Sequence, residues 1–314
     1  MLQKHSLAQS CRQLLEHYQG STHAGQAEKL HFTGIGDSDV YNISSPFLDQ
    51  GQPVIAGRVE QRSSERSTTM FFVEDHDGWH PRENTPTFAL QDPFFTFVAG
   101  ELVLGGVEVV FDPPGERVVT WRTQLYRGAC IHELQHFCTG PEHMKDIRLC
   151  ELPGGKMLVL TRPLGLADAR AAIGYTMIER LDDLNAALID AATLFRDQFL
   201  ADEWGGANEA HVLANGLVAV LGHIAYMEAG DIRHYHAMTF ALKPETGEKT
   251  PLKIIATRKD FPAGPAKRPD LEDVIFSGGL VRQPDGMAWL YAGVSDAEAH
   301  RLRIADPFVE YEQL

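Results

Sequence analysis

The stretch Lys145-Asp146-Ile147-Arg148-Leu149-Cys150-Glu151-Leu152-Pro153-Gly154-Gly155-Lys156-Met157-Leu158-Val159-Leu160-Thr161-Arg162-Pro163 carries one design from end to end. A charged pair opens it. A strand leaves the pair, a Pro-Gly-Gly turn reverses the chain, and an apolar strand returns to a second polar group. Glycine supplies the positive φ that such a reversal needs. Two polar ends brought to one edge of a hairpin make a natural place for a site.

The design recurs four more times. Around Tyr41-Asn42-Ile43 the turn is Asp49-Gln50-Gly51-Gln52 and the return Val54 to Glu60. Around Gln91-Asp92-Pro93 the turn is Ala99-Gly100 and the return Leu102 to Glu108. Gly206-Ala207-Asn208-Glu209 is followed by Ala214-Asn215-Gly216 and Val218 to Ile224. Phe276-Ser277-Gly278-Gly279 is followed by Pro284-Asp285-Gly286 and Ala288 to Ala292, then Ser295-Asp296. The units start near residues 41, 91, 145, 208 and 277, at spacings of 50, 54, 63 and 69. Four strands with their turns occupy roughly 40–50 residues, so the period is that of a propeller blade. The pattern predicts an all-β chain, a five-bladed β-propeller whose inner strands carry their polar motifs to one central pocket.

With 314 residues the chain can bury a large core. A propeller uses it as one domain, 1–314, with 1–29 as an N-terminal helix and loop and 30–314 as the blades. A net charge of -15 argues against nucleic acid and against an anionic membrane surface, both of which are held by excess Lys and Arg. It leaves room for a small phosphate compound in a local cationic pocket. Cys11, Cys130, Cys138 and Cys150 show no C-x-x-C spacing and read as reduced thiols. No apolar run resembles a signal peptide or a membrane span. The expectation is a cytosolic protein; the oligomeric state stays open.

Two helices are expected. Ser6 to Tyr18 places Leu7, Cys11, Leu14, Leu15 and Tyr18 on one face, with Ser6 as N-cap, Gly20 as stop, and a loop to Gln26. Leu181 to Phe199 reads as one long peripheral helix, with Leu184, Leu188, Ala191, Ala192, Phe195 and Phe199 on its apolar face. Pro262 to Pro269 reads as a loop. His132-Glu133-Leu134-Gln135-His136 matches H-E-x-x-H, which on a helix holds zinc for a protease. Here strand-like sequence flanks it between Gly128 and Gly140, and surface histidines in an inter-strand segment are the plainer reading.

Asp92 precedes Pro93, a common turn pair, yet it stands where an inner strand begins. In a partly dry pocket its pKa would rise and it could act as a general acid. Lys145 and Asp146 read either as a solvated pair or as part of the pocket. Arg122, Arg148 and Arg162 read as surface charges or phosphate ligands. His223, within an apolar strand, is a core histidine or a pocket group. Asp296 either closes a turn or faces the centre. Carboxylates and Asn suit sugar hydroxyls, while Arg, Lys and His suit phosphate. The set fits transfer between a sugar and phosphate.

Lys145-Asp146-x-x-Leu149 with the following Gly-Lys and Arg162-Pro163 resembles glycoside hydrolase family 130, which contains five-bladed β-mannoside phosphorylases. Gln91-Asp92-Pro93 resembles its acidic Asp-Pro motif, and Val274 to Val281 with Tyr291 to Asp296 resembles its last blade. Leu149-Cys150-Glu151 and Gly222-His223-Ile224 depart from the family's Leu-Phe-Pro and Tyr-His patterns. Gly57-Arg58-Val59-Glu60, Leu90-Gln91-Asp92-Pro93-Phe94, Trp121-Arg122-Thr123, Met144 to Leu149 and Glu203-Trp204-Gly205-Gly206-Ala207-Asn208-Glu209 resemble more strongly the dual-activity β-1,2-mannosyltransferase/phosphorylases, glycosyltransferase family 108.

The resemblance implies an inverting β-1,2-mannan phosphorylase and mannosyltransferase. Asp92 is then the general acid, acting through the mannose 3-hydroxyl, and phosphate is a co-substrate that attacks from the opposite face. Lys145, His223 and Arg122 bind phosphate. Asp146, Asn208, Glu209 and Asp296 hold sugar hydroxyls, with Arg58, Glu60 and Asn42 nearby. No metal or other cofactor is implied, and GDP-mannose is a possible donor. The alternatives are a β-mannoside hydrolase on the same fold, with Glu209 as second carboxylate acting on water, and a glycan-binding propeller without chemistry.

Overall fold

The computed structural model of the chain describes residues 1–4, 7–18, 27–115, 117–163 and 172–314. Strand β1 (Ala27–Lys29) pairs with the last strand of the chain. Next, β2 (Asp39–Tyr41), β3 (Phe47–Asp49), β4 (Gln52–Glu60), β5 (Ser67–Asp75) and β6 (Gly78–Pro81) form a sheet ordered β2-β4-β5-β6, with β3 against β4. A second sheet comprises β7 (Gln91–Val98), β8 (Glu101–Phe111), β9 (Val118–Gly128) and β10 (Gln135–Thr139). A third comprises β11 (Arg148–Glu151), β12 (Met157–Thr161), β13 (Gly174–Ile178) and β14 (Thr193–Leu194).

The rest form one nine-stranded sheet with β1. Its members are β15 (Glu203–Val212), β16 (Val218–Glu228), β17 (Ile232–Lys243), β18 (Glu248–Lys249), β19 (Lys253–Ala256), β20 (Asp273–Arg282), β21 (Met287–Val294) and β22 (Glu298–Ala305). Two antiparallel groups meet in it, β15 to β19 and β20 to β22. Among the described residues their strands pair only at the parallel positions His234–Asp273 and Tyr235–Val274.

The expected hairpins are present. Gln50-Gly51 and Ala99-Gly100 are two-residue turns with φ of +51° and +81°, and of +49° and +83°. Both residues positive is the geometry that matches the twist of a tight hairpin. The leading strands touch in succession: β4 with β7, β7 with β11, β11 with β15, β15 with β20, and β21 with β2.

Apolar clusters fill the spaces between successive sheets. Phe47, Val54 and Phe71 meet Leu102, Leu104 and Ile131. Phe94, Val103 and Leu125 meet Leu149, Met157 and Val159. Leu158 and Leu160 meet Val220, Met238 and Phe240. Leu221 and Ala241 meet Ile275, Leu290 and Leu302. Tyr291 and Ala299 meet Val40, Ile55 and Phe72, bringing the end of the chain onto its start. At ~25 cal/mol per Å² of apolar surface removed from water, these interfaces are the main force holding the sheets together.

Both helix expectations need correction. Helix α1 covers only Cys11–His17, capped by Ser10 in a reciprocal box with Gln13. Leu7 is 97% exposed and lies off its buried face. Ser6, Gly20 and the Gly20–Gln26 loop fall outside the described residues, apart from Ser6's neighbour Leu7. Leu181 to Phe199 is not one helix. A 3-10 turn at Leu181–Asp183 is followed by the five-residue α2 (Ala186–Asp190) and then β14. Asp183 and Asn185 take backbone N–H groups of Arg180 and Leu188 and so break the run. The apolar residues also serve two cores: Leu181, Leu184 and Ile189 one, Phe195 the other. A single straight helix could not reach both.

Candidate active site

The polar motifs sit at defects in the leading strands. The β7–β8 register slips between Gln91 and Phe94, and Asp92 falls in the slip. The β15–β16 register slips between Ala207 and Glu209, at Asn208, and β20–β21 slips at Gly278. A bulge re-aims the side chain that occupies it. Asn42, Asp92, Asp146 and Asp296 all have positive φ, +44°, +50°, +57° and +49°. Asn and Asp tolerate this left-handed region better than other side chains.

Asp92 is buried. Asn42 donates from Nδ2 to its Oδ1 at 2.7 Å, and Arg58 from Nη1 to the same oxygen at 3.1 Å. Burial pushes this carboxyl up, but Arg58, Lys145 and the Asn42 amide outweigh it and hold the group below the ordinary aspartate range. The expected rise is therefore reversed in the ligand-free protein. The dry surroundings are present, but cations sit in them.

Asp146 is also buried and accepts from Arg162 Nη1 at 2.9 Å; His223 Nε2 lies 3.9 Å from the same oxygen. Burial is again overcome, by Arg162, His223, Lys145 and Arg148, and the carboxyl is held at about 2. His223 Nδ1 donates to Asn208 Oδ1 at 2.9 Å, and Ser277 Oγ reaches that oxygen at 3.3 Å. Burial holds the imidazole down at about 3, so it is neutral. Tyr235 stacks on its ring at 5.5 Å. Gly206 makes the convergence possible. A Cβ there would lie 2.6 Å from Asp146 Oδ2, 2.8 Å from His223 Cε1 and 3.0 Å from Arg162 Cδ. Arg148 lies over the Phe94 ring at 3.8 Å and donates from Nε to the Asn208 carbonyl at 2.6 Å.

Lys145 connects the two halves. Its charge bears on Asp92, Asp146, His223 and Asp296. Among the described residues it makes no hydrogen bond or ion pair of its own. The carboxyl of Asp296 is pushed up by burial and by Asp92, against Arg58, Lys267 and Lys145. Three buried polar atoms around this centre, Asn42 Oδ1, Asn208 Nδ2 and Arg162 Nε, have no hydrogen-bond partner among the described residues. One acceptor, two donors and an unpaired ammonium thus face a centre lined by carboxyls. That suits a ligand with both hydroxyl and anionic groups.

The sequence matches the family described as a protein of unknown function, DUF1861, over residues 16–310. The chain belongs to that family. No curated protein matches it. Among solved structures it is similar to MPT-4, a mannose phosphorylase from Leishmania mexicana in complex with phosphate ion. The two are 33% identical over 95% of this chain and 93% of that one, with a TM-score of 0.87. It is 34% identical to MPT-1, a GDP-Man-dependent mannosyltransferase from the same organism, over 96% of both chains at a TM-score of 0.87. A β-1,2-mannobiose phosphorylase from Listeria innocua is 13% identical, covers 92% of this chain and 93% of its own, and shares the fold at a TM-score of 0.60. This DUF1861 chain is thus an enzyme of the glycosyltransferase and phosphorylase group, related in fold to glycoside hydrolase family 130.

Three expected site residues of this DUF1861 protein are engaged elsewhere. Arg122 donates from Nε to Glu108 at 2.7 Å in a half-exposed pair on β9. Its backbone bridges to Met144, beside Lys145, but no contact joins its side chain to Asp92, Asp146 or His223. Glu209 is a clamp between sheets: it accepts from His211 at 2.7 Å, from Ser45 Oγ at 3.2 Å and from the Leu280 N–H at 2.7 Å. With both oxygens taken it is a poor base for water. Glu60 is wholly buried and accepts from Tyr41 (2.7 Å), Arg58, Ser67 and Lys267, so its oxygens are engaged by the protein and it anchors Arg58.

His132 to His136 is a 3-10 turn followed by β10, and His136 bonds to Gln124 and Thr139. The helix that a zinc protease needs is absent there. Residues that sequence reading left undecided are central: Arg162 pairs with Asp146, and Arg148 braces Asn208. Lys267 was missed altogether. Its only signal was the Lys267-Arg268 basic pair in a proline-rich loop.

Proposed function

We propose that this chain is an inverting β-1,2-mannan phosphorylase and mannosyltransferase on a single-domain, five-bladed β-propeller. The blade count rests on splitting the nine-stranded sheet at its two-residue parallel junction, and on the five apolar interfaces between successive sheets. The observation that carries the activity is Lys145, an unpaired cation between Asp92 on one side and Asp146 with His223 on the other.

In this reading phosphate takes the place beside Lys145, with Arg162 as a further donor; His223, expected as a phosphate ligand, is neutral and spends its one N–H on Asn208, so it lines the place without donating. Asp92 gives its proton, by way of the mannose 3-hydroxyl, to the glycosidic oxygen as the C1–O bond breaks. A phosphate oxygen forms the new bond to C1 from the opposite face. The products are α-mannose 1-phosphate and a chain one mannose shorter; the reverse steps extend the chain. Phosphate also resolves the low pKa of Asp92. A dianion beside Lys145 cancels part of the positive field and lets the carboxyl rise towards the range in which it holds a proton. Asn42, Asp146, Asn208 and Asp296 meet the sugar hydroxyls. The phosphorolytic step needs no metal, because these cations balance the phosphate charge. GDP-mannose as donor is supported by the similarity to the Leishmania transferase.

The test is release of mannose 1-phosphate from short β-1,2-mannan, with and without phosphate, by wild type and Asp92→Asn. Phosphate-dependent release that drops ~100-fold or more in the variant supports the reading. Free mannose without phosphate would instead establish the hydrolase, a reading the engagement of Glu209 disfavours.

A further inference from the structure

The loop from Phe261 to Arg268 is a strap that reaches the edge of the site through Lys267. Its backbone is fixed where the Lys267 N–H donates to the Ser295 carbonyl at 2.9 Å, one residue before Asp296. Arg258, just ahead of it, donates to Ser295 Oγ at 2.9 Å and to the Pro262 carbonyl at 2.9 Å. The Lys267 ammonium is 3% exposed. It binds Glu60 Oε1, which is fully enclosed, and lies 3.0 Å from Glu65. Glu60 in turn takes Arg58 through Nε at 3.2 Å and Nη2 at 2.8 Å, leaving Nη1 for Asp92. One chain of contacts therefore runs from the strap through Glu60 and Arg58 to Asp92.

We infer that Lys267 is a positioning residue, which through Glu60 holds Arg58 in place beside Asp92 and through its backbone holds the turn carrying Asp296. This role rests on the functional reading above. Without the Lys267 charge, the buried Glu60 carboxylate keeps only one cationic partner of its own and draws Arg58 towards itself. Asp92 then loses part of the field that keeps it ionised. The groups facing Asp92 are Asn42 and Arg58 from the first sheet, Lys145, Asp146 and Arg148 from the third, and Asp296 from the last. Those facing Glu60 are Tyr41, Arg58, Ser67 and Lys267. Of all these only Lys267 comes from the strap.

The experiment compares wild type, Lys267→Met, Lys267→Arg and Arg268→Met. Arg268 is the control, because it binds Glu65 and Asp270 and does not touch Glu60. The readout is the pH profile of kcat for phosphorolysis at saturating phosphate. Lys267→Met should lower kcat ~10-fold and move the limb that falls with rising pH upward by about half to one unit. Lys267→Arg should restore both, and Arg268→Met should move neither. A Lys267→Met enzyme whose limb stays at the wild-type pH overturns the role, as does failure of Lys267→Met and Lys267→Gln alike to fold while Lys267→Arg folds, which would make the residue structural only. A wild type that releases no mannose 1-phosphate overturns the functional reading, and this role with it.

Discussion

Asn42 and Asp92 come from different sheets, 50 residues apart, and are joined by a 2.7 Å hydrogen bond between two residues of positive φ. The bond ties the strained end of one leading strand to the strained end of the next. It also fixes which Asp92 oxygen is engaged: Asn42 and Arg58 both take Oδ1.

Asn42→Ala removes that donor. A hydrogen bond to a charged carboxylate is worth ~1.5–3 kcal/mol, so kcat/KM for phosphorolysis should fall ~10–100-fold. The loss should be largest at low pH and shrink as pH rises, because losing the amide also lets the Asp92 carboxyl rise and keeps more of the acid protonated. A pH profile of the variant checks this.

Lys145→Ala should raise the KM for phosphate ~100-fold or more while leaving the melting temperature within about 1 °C. The stability is spared because Lys145 makes no ion pair or hydrogen bond among the described residues that its loss would break. Initial rates against phosphate concentration, beside a melting curve, separate the two effects. An unchanged phosphate dependence would remove Lys145 from the site.

Gly206→Ala places a methyl 2.6 Å from Asp146 Oδ2 and 2.8 Å from His223 Cε1. Neither is a flexible side-chain end, so Asp146 and His223 must part. Activity should fall at least ~10-fold, at a stability cost of ~1–3 kcal/mol. Steady-state kinetics and urea unfolding measure both. A fully active variant would show that the Asp146–His223 approach is dispensable.

His223 gives the fold an acid sensitivity. Its folded pKa of about 3 lies below the ordinary imidazole value, so the unfolded chain binds the proton first as pH falls. Its contribution is complete above pH ~6.5 and is lost between there and pH ~3, at up to ~1.4 kcal/mol per pH unit. His236, held down at about 4 by burial, acts in the same sense. Asp146, held at about 2, adds a loss only below pH ~4. Urea unfolding from pH 7 to pH 4 should show stability rising with pH, and His223→Asn should flatten that slope.

The hairpins were legible because their signals are local. Gln50-Gly51 and Ala99-Gly100 announce turns by residue type, and the apolar return strands follow at once. Asp92, Lys145 and Asn208 were legible because each opens a repeat. The 181–199 segment misled because leucines and alanines at helical spacing do not say which core each residue faces. Glu209 misled for a similar reason: a carboxylate beside Asn208 looks available until Ser45, His211 and the Leu280 amide close on it.

The sequence by itself determined the strands, the turns and the polar residue at the head of each unit. These follow from side-chain periodicity and backbone preference within a few residues. Only the tertiary structure decided the charge state of Asp92, the neutrality of His223 and the anchoring roles of Glu60 and Lys267. Those depend on burial and on charges from segments up to 207 residues apart, as between Glu60 and Lys267. Electrostatic energy depends on distance through space and on the local dielectric, and neither is written in the order of the residues.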